Sequence, residues 1–170
     1  MLPIRRLTQP SDTEIDRLSA VLIDCVEGGA SVSFMHPLSP AKARAFWQQV
    51  AQDVARGARA LLVAEDERGV VGTVQLVLDQ PENQPHRADL AKMLVHRRAR
   101  GRGVGAALLA AAEQLGRECG RTLLVLDTAS AEAERLYARG GWQRCGTVPG
   151  YALLPQGGLC ATTFFYRELR

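Results

Sequence analysis

The sequence of 170 residues contains no long apolar run, and no stretch approaches the roughly 18 residues that a membrane-spanning helix needs. No apolar segment follows the basic residues near its start, so no secretory signal is visible and we expect the protein in the cytoplasm. The four cysteines form no C-x-x-C pair, which disfavours zinc and redox motifs. The three histidines are scattered and no acidic residue is spaced to complete a triad. The sequence therefore predicts neither a metal site nor a Ser-His-Asp type of active site.

Charge of one sign is not in strong excess. There are 21 Lys and Arg residues against 18 Asp and Glu, and a net charge of +3 is too small to favour nucleic acid as a partner. Hydrophobic and charged contents of 46% and 23% are ordinary for a globular protein that does not enter a membrane. The length suits a single domain over residues 1–170, as either a monomer or a homodimer.

Apolar periodicity and capping residues predict the element order β-α-α-β-β-β-α-β-α-β-β. Ser11 or Asp12 begins a helix, and Ser39 with Pro40 begins a second one that ends near Gly57. Two apolar segments around EDERG form a hairpin. The other predicted strands are 4–8, 88–95, 122–127, 142–148 and 161–168. The third predicted helix begins after residues 101–105, and the fourth spans residues 131–139. This order predicts a mixed α/β sheet of about seven strands with helices on both faces.

The most informative segment is RRARGRGVG, residues 97–105, between a predicted strand and a predicted helix. Glycines let a ligand touch the backbone, and the helix N-terminus adds partial positive charge, so the segment is a candidate anion site. Gly101, Gly103 and Ala106 match the dinucleotide pattern G-x-G-x-x-A. That fold is disfavoured, because five residues separate the strand from the first glycine and too little chain remains for further β-α units. A P-loop is excluded because Gly-Lys-Ser/Thr is missing, and a solvated basic turn remains as an alternative.

The segment RGRGVGAALL resembles the acyl-CoA loop of the GNAT superfamily of N-acetyltransferases, whose pattern is R/Q-x-x-G-x-G/A. Arg100, Gly103 and Gly105 match this pattern. A second family signature lies downstream in AEAERLYARGGW, and the matching residues are Ala133, Leu136, Tyr137, Gly141 and Trp142. The resemblance extends over nearly the whole chain. It implies the GNAT fold, acetyl-CoA as the cofactor and a primary amine as the acetyl acceptor.

A narrower likeness within the family is to the tabtoxin-resistance acetyltransferases, which acetylate an amino-acid-like toxin. It is carried by EGGASVSFM, LVLDT and VPGYALLPQGGLC, among other segments. This likeness implies a small-molecule acceptor, and a role in resistance or detoxification. A protein or peptide N-acetyltransferase and a non-catalytic acyl-CoA sensor are the alternatives, and Tyr137 disfavours the sensor.

The resemblance implies where the cofactor would bind. The backbone of residues 93–95 would pair with the pantetheine arm, and a strand amide near Leu94 would donate to the thioester oxygen. The amides of residues 102–106 would hold the pyrophosphate, with nearby arginines adding positive charge. Many relatives have an asparagine after the strand TLLVLD, where this chain offers the hydroxyls of Thr128 and Ser130. The expected cofactor-binding residues are Met93, Leu94, Val95, Arg97, Arg98, Arg100, Gly101, Arg102, Gly103, Val104, Gly105, Ala106, Thr128 and Ser130.

The family pattern makes Tyr137 the candidate general acid for the departing thiolate, since a tyrosine is protonated at neutral pH. A buried packing role for the ring is the alternative. Asp127 is the preferred base, with Asp89 or a water relay as alternatives, although Asp127 would also suit a helix cap. The expected acceptor-binding residues are Ser31, Ser33, Phe34 and Met35. Packing of Phe34 and Met35 against the sheet is the alternative.

Overall fold

The computed structural model describes residues 2–170, and its elements follow the predicted order. The strands are β1 (Ile4–Leu7), β2 (Arg59–Asp66), β3 (Gly69–Val77), β4 (Arg87–Val95), β5 (Leu123–Thr128), β6 (Gln143–Leu153) and β7 (Leu159–Glu168). The helices are α1 (Asp12–Glu27), α2 (Pro40–Ala55), α3 (Val104–Glu118) and α4 (Ala131–Arg139). A short 3-10 helix, Arg97–Ala99, was not predicted and lies between β4 and the glycine loop.

The first two helices begin where their capping residues predict. Ser11 caps α1 in a capping box, because the Ser11 hydroxyl accepts from the Glu14 amide and the Glu14 carboxylate accepts from the Ser11 amide. Ser39 caps α2 by accepting from the Lys42 amide at 3.2 Å, with Pro40 at the first helical position.

The seven strands form one sheet in the order β1-β2-β3-β4-β5-β7-β6. Only β4 and β5 are parallel, and every other neighbouring pair is antiparallel. The mixed sheet predicted from the sequence is thus confirmed. The single parallel pair lies at the centre, where α3 makes the crossover between its two strands.

Each face of the sheet is covered by its own pair of helices. Apolar residues of α1 and α2, including Leu18, Leu22 and Trp47, form a core on one face of the sheet. The strand residues in this core are Leu61 and Val63 of β2, Val70 of β3 and Leu94 of β4. Residues of α3 and Tyr137 of α4 form a second core on the other face. The alternation along each strand therefore separates an α1–α2 face from an α3–α4 face.

The last two strands are longer than predicted. Pro149 and Gly150 favour a break after residue 148, but β6 continues to Leu153 through an irregularity between Val148 and Ala152. Gly150 has φ +61° there, so glycine supplies a conformation that other residues rarely adopt. A bulge of this kind accommodates proline in an edge strand, which is where β6 lies.

Candidate functional site

A gap opens between the two central parallel strands. β4 and β5 pair only at Arg87–Leu123, Ala88–Leu124 and Asp89–Val125. Beyond these pairs β4 continues to Val95 while β5 stays paired with β7 up to Thr128. The two strands therefore diverge toward their carboxyl ends, and backbone groups of β4 are left without a strand partner on that side.

The backbone of β4 presents alternate amides to this gap. The amide of His96 donates to Val71 of β3 at 2.8 Å, and Leu94 lies opposite Thr73 in the same ladder. Since amides alternate along a strand, the amide of Leu94 faces β3, and those of Met93 and Val95 face the gap. A strand amide near Leu94 that donates into the gap would therefore belong to Met93 or Val95.

The N-terminus of α3 lies at the carboxyl end of β4, which is the end of the sheet where the gap opens. Gly103 is the N-cap residue, with φ +76°, and no side chain caps this end of the helix. The amides of Val104, Gly105 and Ala106 accordingly lack intrahelical acceptors. A Cβ atom added at Gly101 or Gly103 would meet nothing within 4 Å, so both glycines border open space. This end of the helix fits a ligand that carries phosphate.

Gly105 has a different environment from the other two glycines. A Cβ atom there would lie 3.3 Å from Cδ2 of Leu136 in α4. Its small size therefore lets α3 and α4 pack closely, while its amide remains at the exposed end of the helix.

Two of the four loop arginines are held by carboxylates of the protein. Arg97 donates through its amide and its Nε to Asp24 of α1, at 2.9 and 2.7 Å. Arg98 forms an ion pair with Asp66 at the end of β2. Burial opposes ionisation of Asp24, but the hydrogen bonds from Arg97 outweigh it and lower the pKa of this carboxyl. Arg97 and Arg98, expected to face phosphate, instead anchor the loop to the protein.

The other two loop arginines, Arg100 and Arg102, are not paired with a carboxylate in the described part of the chain. The Nε of Arg100 donates to the carbonyl of Val95 at 3.1 Å. Both Arg100 and Arg102 are exposed, and neither forms an ion pair within residues 2–170. Arg102 lies beside Gly103 and Val104 at the N-terminus of α3, whereas the guanidinium of Arg100 lies close to Gly28 at the end of α1.

Tyr137 is packed into the core of the α3–α4 face. Its ring lies 5.9 Å from that of Trp142 and 5.8 Å from that of Phe165, and the residue is 4% exposed. Its hydroxyl forms no hydrogen bond to a residue in the described part of the chain, and its oxygen is not among the fully buried atoms left without a partner, so it remains open to water or a ligand. Burial, with a smaller contribution from Asp127, raises the pKa of Tyr137 well above its usual value.

The two candidate bases lie in different environments. Asp127, at the end of β5, is exposed and accepts a hydrogen bond from Thr162 at 2.8 Å. It does not cap α4, because the cap is Ser130. Asp89 lies where β4 and β5 still pair, and it accepts from Arg87 and from Gln80. Asp127 therefore lies beside the gap. Asp89 lies in the part of β4 that is still paired with β5, and both of its oxygens already accept hydrogen bonds.

The hydroxyls that replace the family's asparagine take part in the turn into α4. Ser130 accepts from the Ala133 amide at 3.2 Å, and Thr128 accepts from the Ser130 amide at 3.2 Å. Each hydroxyl hydrogen is still free to donate to a ligand.

The loop between α1 and α2 meets the tip of the β6–β7 hairpin. The His36 amide donates to the carbonyl of Pro155 at 2.9 Å, and Gln156 donates to the carbonyl of Glu27 at 3.4 Å. Ser31 lies 3.5 Å from the Leu153 carbonyl and 3.7 Å from the Cys160 sulfur. We call this set of contacts the loop–hairpin bridge, and it lies over the α1–α2 face.

The four predicted acceptor residues have separate positions within this loop. Phe34 packs edge-on against Phe46 of α2, with 5.3 Å between ring centroids. Met35 is 45% exposed, and Ser31 belongs to the loop–hairpin bridge. Ser33, with φ +78°, accepts a hydrogen bond from Lys92 of β4 at 3.2 Å.

Lys92 is a residue of this region that the sequence did not reveal. Its φ is +51°, and it lies in an irregularity of β4, opposite the step from Thr73 to Gln75 in β3. Hydrophobic alternation gives no signal for such a bulge, and a lone lysine in a strand is common. An unusual backbone angle is visible only in the structure.

No group of His, Cys, Asp and Glu side chains within residues 2–170 could hold a metal ion. No helix in that range has the length and apolar character to cross a membrane.

Comparison with known proteins places this geometry in a family. A model of the acetyltransferase (GNAT) domain matches residues 57–144. The structure is similar to a ribosomal-protein-alanine N-acetyltransferase from Brucella melitensis, with 25% identity over 99% of this chain and 100% of that one and a TM-score of 0.81. It is also similar to an N-acetyltransferase from Staphylococcus aureus Mu50, with 20% identity, coverage of 100% and 99%, and a TM-score of 0.82.

A third similar structure is a GNAT phosphinothricin acetyltransferase from Sinorhizobium meliloti in complex with acetyl-CoA. Its identity is 19%, over 99% of this chain and 88% of that one, and the TM-score is 0.82. The family model covers more than half of the chain, including the glycine loop, the gap and Tyr137. The chain therefore belongs to the GNAT family of acetyltransferases.

Proposed function

We propose that this protein is an acetyl-CoA-dependent N-acetyltransferase that acetylates the primary amine of a small molecule by direct attack in a ternary complex. The observation that carries the proposal is the gap between β4 and β5, which has the uncapped N-terminus of α3 on one side and the loop–hairpin bridge on the other. Acetyl-CoA supplies an acetyl group activated as a thioester. The phosphinothricin acetyltransferase of similar fold is solved with this cofactor.

The residues of this chain fit acetyl-CoA in three places. The amides of Val104, Gly105 and Ala106 hold the pyrophosphate, and the exposed charges of Arg100 and Arg102 add attraction. The amides of Met93 and Val95 face the gap and pair with the extended pantetheine arm. One of them also donates to the thioester oxygen, which is the kind of preorganised contact that stabilises developing negative charge.

Tyr137 gives its proton to the coenzyme sulfur as the acetyl group leaves. Its hydroxyl is not committed to another residue in the described chain, and its buried ring is held by Trp142 and Phe165. The raised pKa keeps the proton on the oxygen at neutral pH. A fixed, protonated hydroxyl is suited to this task.

Asp127 is the base that accepts a proton from the acceptor amine, directly or through a water molecule. It lies beside the gap, and the hydrogen bond from Thr162 fixes its carboxylate while leaving a second oxygen free. Asp89 is less suited, since Arg87 and Gln80 already engage both of its oxygens.

A small acceptor is favoured over a protein chain by the loop–hairpin bridge. An acceptor polypeptide needs an open groove, whereas the contacts of His36 with Pro155 and of Gln156 with Glu27 close this side of the site. A protein N-terminus is the second candidate, because one similar structure is a ribosomal-protein-alanine N-acetyltransferase. If the acceptor is a small molecule, we favour an amino-acid-like toxin or antibiotic as the substrate. The favoured role is then resistance or detoxification in the cytoplasm.

A coenzyme-release assay tests the proposal. The purified protein is given acetyl-CoA with a panel of free amino acids, amino-acid-like antibiotics, polyamines and peptides with alanine at the N-terminus. We expect turnover with at least one small amine and little with the peptides. Turnover of peptides alone would replace the small-molecule proposal with the second candidate, and binding of acetyl-CoA without any turnover would favour a sensor.

A further inference from the structure

A bulge in β4 turns one lysine toward the acceptor side of the sheet. Ala91 lies opposite Gln75 and Leu94 opposite Thr73, so two residues of β4 occupy the space that one residue of β3 spans. Lys92, with φ +51°, is the first of these two. Leu94 belongs to the core of the α1–α2 face, and the side chain of Lys92 points to the same face, where it reaches Ser33.

The ammonium group of Lys92 has a polar partner and an aromatic one, but no carboxylate. Its Nζ donates to Ser33 Oγ at 3.2 Å and lies 5.7 Å from the centroid of the Phe46 ring. No Asp or Glu among residues 2–170 comes within ion-pair distance of it. Burial and the nearby charge of Arg59 lower the pKa of Lys92, whereas Asp127 acts in the opposite direction.

The carboxylate of Asp53, on α2, is already neutralised by two arginines. Asp53 accepts from Arg56 and Arg59, at 3.0 Å in each ion pair, and Arg59 donates in addition to Gln75 at 2.8 Å. Arg59 and Asp53 therefore satisfy each other and leave the charge of Lys92 without a counter-ion. A partly buried ammonium group with no anionic partner is unfavourable unless a ligand supplies the anion.

We propose that Lys92 and Ser33 form an oxyanion-binding subsite for the acceptor, so that the substrate carries a carboxylate as well as the amine that is acetylated. This inference rests on the proposed function and narrows its substrate class to amino acids and amino-acid-like molecules. The carboxylate of Asp127 is not within ion-pair distance of Lys92, but it is close enough for its negative charge to act on the ammonium group. An acceptor between them places its carboxylate at Lys92 and its amine at Asp127.

Matched acceptors and matched variants test the subsite through turnover. Each amino acid that is acetylated is compared with its own carboxamide, which has the same amine and side chain but no negative charge. Lys92→Met should raise KM for the acid about 10- to 100-fold, as loss of a charged hydrogen bond implies, and leave the poorer KM for the amide unchanged. Lys92→Arg should keep most of the preference for the acid. Lys42→Met, at the other lysine of the chain and exposed on α2, is the control and should match the wild type.

The outcomes separate recognition from other roles of Lys92. An equal loss for acid and amide in Lys92→Met, without recovery in Lys92→Arg, would overturn the subsite and make Lys92 a proton-transfer or structural residue. An unchanged KM for the acid in Lys92→Met would also overturn it.

Binding without turnover gives an independent readout. The chain has two lysines, Lys42 and Lys92, so reductive methylation with 13C-formaldehyde gives few signals, which Lys→Arg variants assign. With acetyl-CoA present, amino acids should shift the Lys92 signal and their carboxamides should not, while the Lys42 signal stays in place. If acetyl-CoA binds and no amino acid of the panel moves the Lys92 signal, the subsite proposal is wrong. If acetyl-CoA itself does not bind, the proposed function fails before the subsite is reached.

Discussion

At the scale of single residues, the three loop glycines differ in what they do. Gly101 and Gly103 have positive φ and border open space, whereas Gly105 is confined by Leu136 of α4. Gly57, at the end of α2, has the same φ of +76° as Gly103 and also has nothing within 4 Å of an added Cβ. It is therefore a matched control for Gly103 that lies outside the glycine loop.

Gly103→Val should remove measurable acetyl-CoA binding. The added side chain would occupy the space in front of the α3 amides, where we propose that the pyrophosphate binds. Gly57→Val should bind acetyl-CoA as the wild type does, although both variants lose at least about 1–2 kcal/mol of stability to the left-handed backbone. Calorimetric titration and denaturant unfolding of both variants check this. Equal affinity in Gly103→Val and Gly57→Val would remove phosphate binding from this loop.

Tyr137→Phe should lower kcat by about 10²–10⁴ with little change in the affinity for acetyl-CoA, because it removes only the hydroxyl that we propose as the proton donor and keeps the ring. The raised pKa of Tyr137 means that its proton is retained at high pH, so wild-type kcat should not fall through its loss below about pH 10. Steady-state kinetics from pH 6 to about pH 10 measure both effects. Tyr166→Phe, on β7, is the control and should retain full turnover. Full turnover in Tyr137→Phe would leave Tyr137 a packing residue.

The sequence predicted some of these residues and missed others for physical reasons. Glycines before a helix and a tyrosine in a family signature are local patterns, so the loop and Tyr137 could be named in advance. The ion pairs of Arg97 with Asp24 and Arg98 with Asp66 join residues far apart in the chain, so four equivalent arginines were expected. Lys92 was missed because its position depends on a bulge that periodicity does not record.

At the scale of elements, the central feature is a parallel strand pair that opens after three residue pairs. The order of elements along the chain followed from apolar alternation, and two helix caps from Ser11 and Ser39, so a mixed sheet could be predicted. The divergence could not, because alternation along β4 and β5 is the same whether or not the strands remain paired. The length of β6 could not be predicted either, because Pro149 and Gly150 lie in an irregularity of the strand and do not end it.

Amide hydrogen exchange should reveal the open side of β4. The amide of Leu94 lies in the ladder with β3 and should be protected in the free protein, whereas that of Val95 faces the gap and should exchange faster. Acetyl-CoA should slow exchange at Met93 and Val95 and change little at Leu94. Exchange followed by NMR with and without the cofactor measures this. Strong protection of Val95 in the free protein would mean that the gap is closed to the cofactor.

At the scale of the whole molecule, the sheet separates two approaches to one gap. The N-terminus of α3 belongs to the α3–α4 face, and the loop–hairpin bridge covers the α1–α2 face. The gap between β4 and β5 is open to both faces of the sheet. A cofactor held by the helix terminus and an acceptor held under the bridge can therefore be present together.

This arrangement predicts a sequential mechanism without an acetylated enzyme. Because the two proposed binding sites lie on opposite faces of the sheet, the amine would reach the thioester while the cofactor is still bound, and no side chain would have to carry the acetyl group between them. Initial rates measured over a grid of acetyl-CoA and acceptor concentrations should give reciprocal plots that intersect. Intact-mass analysis after incubation with acetyl-CoA alone should show no stoichiometric acetyl adduct. Parallel reciprocal plots, with an adduct that the acceptor discharges, would instead assign a covalent relay to a nucleophile of the protein.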